Sequence, residues 1–295
     1  MLFSLVKRIN DNISISHYQI NVILVEWKIR MKLLSIASGS SGNCIYIGST
    51  STHILIDAGI SRKRIVEGLN TLSLTLDDID AIFITHEHID HIQSLGVLER
   101  TRVIPVYTSA GTAQGIMATK SLGKIPEGIF NIVSADELIS IGDLVVKPFT
   151  ISHDAAEPLA YRIEREDKAV AVATDMGTYD DYTVSSLKGL NAILLEANHD
   201  LNMLQVGSYP YYLKQRISGE YGHLSNEMSG SLLNRILNKN LKDILLGHLS
   251  RENNYEELAY ETVCLAVNQG DTPYKAEDFN IKVAKRDRVT ELVII

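Results

Sequence analysis

The run Thr85-His86-Glu87-His88-Ile89-Asp90-His91 places four potential metal ligands within six residues, directly after the apolar stretch Ala81 to Ile84. In an extended segment alternate residues share a face, so His86 and His88 project to one side while Asp90 and His91 follow as the chain turns helical. Imidazole and carboxylate suit zinc, manganese or iron(II), and one ion cannot easily take all four ligands from so short a segment. The spacing therefore favours two adjacent ions. The bland competitor is a hydrogen-bonded surface turn.

Around this run, short apolar stretches alternate with helical patterns. The pattern predicts strands at Leu33 to Ala37, Cys44 to Ile47, His53 to Ile56, Ala81 to Ile84, Leu144 to Phe149, Ala160 to Ile163, Ala169 to Ala173, Ala192 to Leu195 and Asp243 to Leu246. It predicts helices at Arg62 to Leu69, His91 to Glu99, Ala110 to Ala118, Tyr209 to Ile217, Asn226 to Leu237 and Glu256 to Val267. Helices interleave with strands throughout, so the class is α/β (α+β), with sheets covered by helices rather than an all-β barrel. Residues 1–30 read as an N-terminal extension outside the native fold, because Met31-Lys32-Leu33-Leu34 looks like the start of a first strand. Residues 31–295 read as one hydrolase domain.

Three more candidate ligands each follow an expected strand: His153, Asp175 and His248. His-x-His-x-Asp-His followed in order by a lone His, a lone Asp and a final His resembles the metallo-β-lactamase superfamily. That resemblance implies an αββα four-layer sandwich with two divalent metal ions, Zn²⁺, Mn²⁺ or Fe²⁺. It assigns His86, His88 and His153 to the first ion, Asp90, His91 and His248 to the second, and Asp175 to a bridge between them. Ser35 to Asn43 (SIASGSSGN), Leu55 to Gly59 (LIDAG), Thr174 to Gly177 (TDMG), Leu194 to Asp200 (LLEANHD), Gly222 to Glu227 (GHLSNE) and Gly247 to Asn253 (GHLSREN) are similar to the bacterial YycJ or WalJ branch, described as exonuclease-like. That branch implies a DNA exonuclease working 5′ to 3′, with DNA rather than RNA as its partner.

Around the ligands, His223 resembles the His of a His-Ser/Thr motif that assists the leaving oxygen in tRNA-processing relatives. Together with Asp90 it is the candidate catalytic residue. Ser225 or Asn226 also reads as the cap of the following helix, and both readings can hold. Substrate contact is expected of Ser40, Asn43, Glu196, Asn198, His199 and Ser225, although Ser38 to Asn43 reads equally as a plain hairpin turn, and Glu196, Asn198 and His199 read equally as groups that orient a ligand from behind. Asp57 reads as a support for the metal-binding loop. Lys214 and Arg216, beside Tyr209, Tyr211 and Tyr212, have two readings: a backbone-binding and base-stacking surface, or an amphipathic helix with its rings packed inward, which is favoured.

The net charge of -8 counts against extensive nonspecific nucleic-acid binding, though bound cations offset charge where a phosphate docks. A small or cyclic phosphodiester therefore stays open as an alternative substrate. A glyoxalase II-like thioester hydrolase shares the whole ligand set. The non-enzymatic alternative is a metal-stabilised DNA-binding or regulatory protein. No uninterrupted apolar run is long enough to span a membrane. Cys44 and Cys264 lie far apart, which suits a reducing cytoplasm. With no long basic arm, a grip on polynucleotide would come from loops or from a second subunit of a homo-oligomer.

Overall fold

In the computed structural model, which describes residues 30–295, the strands form two seven-stranded sheets stacked face to face. Strands β1 (Lys32–Ala37), β2 (Cys44–Gly48) and β3 (His53–Ile56) pair antiparallel. Helix α1 (Arg62–Asn70) crosses to β4 (Ala81–Phe83), which runs parallel to β3. Helices α2 (Ile89–Ile92) and α3 (Leu95–Thr101), strand β5 (Val106–Thr108), helix α4 (Ala110–Ala118) and strand β6 (Phe130–Ile132) continue that sheet in parallel.

The second sheet begins with β7 (Ile139–Ile141), β8 (Leu144–Thr150), β9 (Leu159–Arg165) and β10 (Lys168–Ala173), all antiparallel. After α5 (Asp181–Ser186) comes β11 (Ala192–Glu196), followed by α6 (Leu201–Val206), α7 (Tyr211–Ile217) and α8 (Asn226–Ile236). Strand β12 (Asp243–Gly247), helix α9 (Glu256–Gln269) and strand β13 (Asn280–Val283) complete the parallel part. Strand β14 (Val293–Ile294) returns to the first sheet, antiparallel to β1. The two sheets thus repeat one plan: β1 to β6 and β8 to β13 each pair antiparallel through the third strand and parallel thereafter.

Three apolar layers hold the stack. Leu33, Ile45, Phe83, Val146, Val170 and Leu194 meet between the sheets. Leu34, Tyr46, Leu55 and Ile82 face outward to pack with Ile65 of α1 and Leu98 of α3. Ala171, Leu195 and Ile244 do the same with Leu232 of α8 and Val263 of α9. Burial on both faces is why these strands read as unbroken apolar runs rather than alternating ones. The outcome is helix, sheet, sheet, helix, the expected four-layer α/β sandwich. Cys44 and Cys264 are both buried and free. Among the described residues no helix is long and apolar enough to cross a membrane.

The nine strands expected from the sequence are all present, each end within two residues. The helix expected at His91 to Glu99 is instead two short ones, because the Ser94 backbone N–H and hydroxyl both donate to Ala58 O and turn the chain there. The extension expected at residues 1–30 lies, apart from Arg30, outside the described residues.

Candidate metal centre

All seven residues of the expected ligand set converge where the C-terminal ends of β4, β10 and β12 meet. Beyond β4 the chain stays extended, so the His86 and His88 rings share a side, with His86 Nε2 3.0 Å from His88 Nδ1. His153, after β8, brings its Nε2 to 3.2 Å from the same His88 atom. Helix α2 then carries Asp90 and His91 to the neighbouring position. There His91 Nε2 lies 3.3 Å from Asp175 Oδ2 and 3.5 Å from Asp90 Oδ2. His248 Nε2 lies 3.4 Å from Asp90 Oδ2 and 3.5 Å from Asp175 Oδ1. The two Asp175 oxygens thus face different rings, and Oδ1 also comes within 3.8 Å of His153 Nε2.

Each buried ring is held by the nitrogen that faces away from the centre. His86 Nδ1 meets Thr85 Oγ1 at 3.0 Å, and His153 Nδ1 meets Gly222 O at 3.1 Å. His91 Nδ1 meets Asp57 Oδ2 at 2.7 Å, and His248 Nδ1 meets Glu196 Oε1 at 2.9 Å. An imidazole that donates from Nδ1 presents the Nε2 lone pair inward, the orientation a metal ligand needs. Asp57, which also accepts from the Thr85 N–H and hydroxyl, supports the loop as expected.

Converging lone pairs about 3 Å apart repel unless a cation lies among them. The buried Asp175 Oδ2 also lacks a hydrogen-bond partner. The donor set therefore fits divalent ions, and its residues form clusters able to hold them. Left-handed backbone at Asp57 (φ 63°), Asp175 (φ 62°) and His248 (φ 55°) adds local strain at this centre, a cost of about 1–3 kcal/mol per residue.

The electrostatics divide the centre in two. Burial pulls His86 well below the ordinary histidine range, and the neighbouring His91 and His153 rings add to it. Burial also lowers His248, but Asp175, Asp90 and Glu196 outweigh it and raise that ring to about 10. His91 is raised for the same reason by Asp175, Asp57 and Asp90. One cluster is thus all imidazole and the other rich in carboxylate.

The cluster opens into a cleft of about 330 Å³. Ser40 and Asn198 line it together with His223. Asn43, Glu196, His199 and Ser225 are buried and line none of it, and Glu196 stands behind the His248 ring, the place of a group that orients a ligand. Asn43 Nδ2 bonds Gly39 O and lies 3.2 Å from His91 Nε2. Ser225 caps α8 by accepting the Met228 N–H. His199 has no partner at either ring nitrogen, and burial lowers it to about 4. Glu196 is a hub: Oε1 lies 2.8 Å from His223 Nδ1 as well as beside His248, and Oε2 accepts the Met176 and Leu224 N–H groups.

Asp154 was missed by sequence reasoning, although its place beside His153 was the available signal. Its Oδ1 lies 3.5 Å from His153 Nε2, and its Oδ2 accepts from Arg216 Nε, which reaches in from α7 along the cleft wall. The inward packing favoured for the tyrosines of that helix is also overturned: among the described residues Tyr211 and Tyr212 are exposed.

Residues 52–241 match the family described as a β-lactamase superfamily domain. The exodeoxyribonuclease WalJ of Streptococcus pneumoniae is 38% identical over 268 residues, 91% of this chain and 99% of that one. The exodeoxyribonuclease YycJ of Bacillus anthracis is 38% identical over 228 residues, 77% and 86% of the two chains. The metallo-β-lactamase fold protein YhfI of Bacillus subtilis superposes with a TM-score of 0.64 at 15% identity, covering 89% of this chain and 99% of that one. With a family match across most of its length and relatives at this identity and coverage, the chain belongs to the β-lactamase superfamily and, within it, to the family of WalJ and YycJ.

Proposed function

We propose that this metal-dependent hydrolase is an exodeoxyribonuclease that removes nucleotides from the 5′ end of DNA. The observation that carries the reading is the pair of ligand clusters, His86-His88-His153 and Asp90-His91-His248, with Asp175 reaching rings of both, opening on a cleft that also presents His223. Relatives named as exodeoxyribonucleases, similar along nearly the whole chain, support DNA as the substrate. In this reading His86, His88 and His153 hold one divalent ion, Asp90, His91 and His248 the other, and Asp175 both. The N/O donor set accepts zinc, manganese or iron(II). Ions bound there supply Lewis acidity at the phosphate and make water acidic enough to serve as nucleophile near neutral pH.

The chain's own groups then divide the work. The Asp90 carboxylate, on the cleft wall, accepts a hydrogen bond from the attacking water and orients it. His223, tied at Nδ1 to Glu196, uses Nε2 to deliver a proton to the departing oxygen. Asn198, which donates to His248 O, fixes the strand end that carries that ligand. A time course on end-labelled linear duplex DNA, with protein stripped of metal and reloaded with manganese or zinc, tests the reading. Stepwise metal-dependent loss from the 5′ end is expected. Intact DNA together with turnover of a small phosphodiester would move the function to small substrates.

A further inference from the structure

Helix α7 and the turn before it have no part in the ligand set, yet they form one wall of its cleft through Tyr209 and Arg216. From Leu201 to Gly219 the sequence contains no acidic residue while Lys214 and Arg216 are basic, in a chain whose net charge is -8. The helix buries none of its residues. Tyr211 and Tyr212, at its start, are 77% and 73% exposed. So short a helix with no buried face gains little from packing. Its attachments are polar instead: Lys214 Nζ donates to Gln205 O at 2.7 Å, and Arg216 pairs with Asp154. On the side away from the cleft runs a second groove of about 530 Å³, lined in part by Leu204, Tyr211 and Lys214. The helix is therefore an aromatic and basic ridge between the candidate metal centre and a second groove.

We propose, resting on the nuclease reading above, that segment 207–218 holds the single-stranded end of a DNA substrate, with Tyr211 and Tyr212 stacked on bases and Arg216 exchanging Asp154 for a backbone phosphate. Two observations select this occupant. The segment is positive where the rest of the chain is negative, which complements a phosphodiester backbone. It is also continuous with the cleft, so a strand leaving the centre crosses it. Rings this exposed stack only on bases freed from pairing, and such stacking is tolerant of sequence.

Fluorescence anisotropy of a short labelled oligothymidine with phosphorothioate linkages, titrated with metal-loaded protein, tests the ridge without turnover. The single strand is expected to bind more tightly than the matching duplex. Tyr211→Ala and Tyr212→Ala should each weaken binding roughly fivefold or more. Tyr260→Ala, on the outer helix α9, should leave it unchanged. Unchanged melting temperatures for the Tyr211 and Tyr212 variants establish that they fold. Binding indifferent to both tyrosines, or weakened equally by Tyr260→Ala, overturns the ridge and leaves the nuclease reading standing wherever wild-type protein still degrades DNA. Tyrosine-dependent binding by a wild-type protein that degrades no DNA supports the ridge and removes the nuclease reading.

Discussion

Glu196 illustrates how much of this centre depends on groups that never face the substrate. Its buried carboxylate sits beside the outer nitrogens of both His223 and His248, so one side chain sets the orientation of a candidate acid and a candidate ligand. Glu196→Gln should reduce metal affinity roughly 10–100-fold, read by titrating zinc into stripped protein. Asp90 is different, since it stands partly exposed at the cleft. Asp90→Asn should lower turnover at least about a hundredfold with little change in melting temperature, and full activity would remove Asp90 from the mechanism.

Glu99 offers a check remote from the metal. Burial raises its carboxyl from 4.5 to about 7. Its Oε2 accepts the Ile104 N–H while Oε1 has no partner. Above pH 4.5 the unfolded chain sheds this proton while the folded chain keeps it. The stability that protonated Glu99 contributes is therefore full below pH 4.5 and is lost as pH rises through about 7. Glu99→Gln should remove that slope, stabilising the protein by about 2–3 kcal/mol above neutral pH and not at all in acid. Denaturant melts on either side of the interval measure it.

Among the elements, legibility followed length and burial. Strands β1 to β4 and β10 to β12 announce themselves as apolar runs because both of their faces are covered, while β8 and β9 mix buried with partly exposed positions and read through their apolar share alone. Strand β4 is only three residues long but wholly buried, whereas the equally short β5, β6 and β7 each carry residues that are not, and β13 and β14 escaped notice too. The ligand motif was legible because its order is local. The Asp154–Arg216 pair was not, nor were the two rings that Glu196 orients, because each depends on contacts between segments distant in sequence. A close approach of loops was equally hidden. A Cβ at Gly59 would lie 1.6 Å from Asp90 O, so Gly59→Ala must displace the turn that carries two candidate ligands. It should cost at least about 3 kcal/mol and bring loss of bound metal, both measurable on one preparation by melting and elemental analysis.

Across the molecule, the candidate ligands come from both sheets: His86, His88, Asp90 and His91 from the first, and His153, Asp175 and His248 from the second. Ions held there clasp the halves together, so chelation should lower the melting temperature. At a metal concentration a hundredfold above the dissociation constant the expected drop is about 5–10 °C. A melt insensitive to EDTA would mean that the protein as prepared holds no ion.

The repeated strand plan sets the two aspartates at corresponding turns. Asp57-Ala58-Gly59 follows β3 and Asp175-Met176-Gly177 follows β10, and the aspartates have nearly the same left-handed backbone, φ 63° and 62°. Each glycine is pressed against a neighbouring carbonyl, Asp90 O in one half and Glu220 O in the other. One turn steers the His91 imidazole from behind, while its counterpart turns a carboxylate toward the candidate ligands. The same local geometry thus serves as a brace in one sheet and as a point of contact in the other.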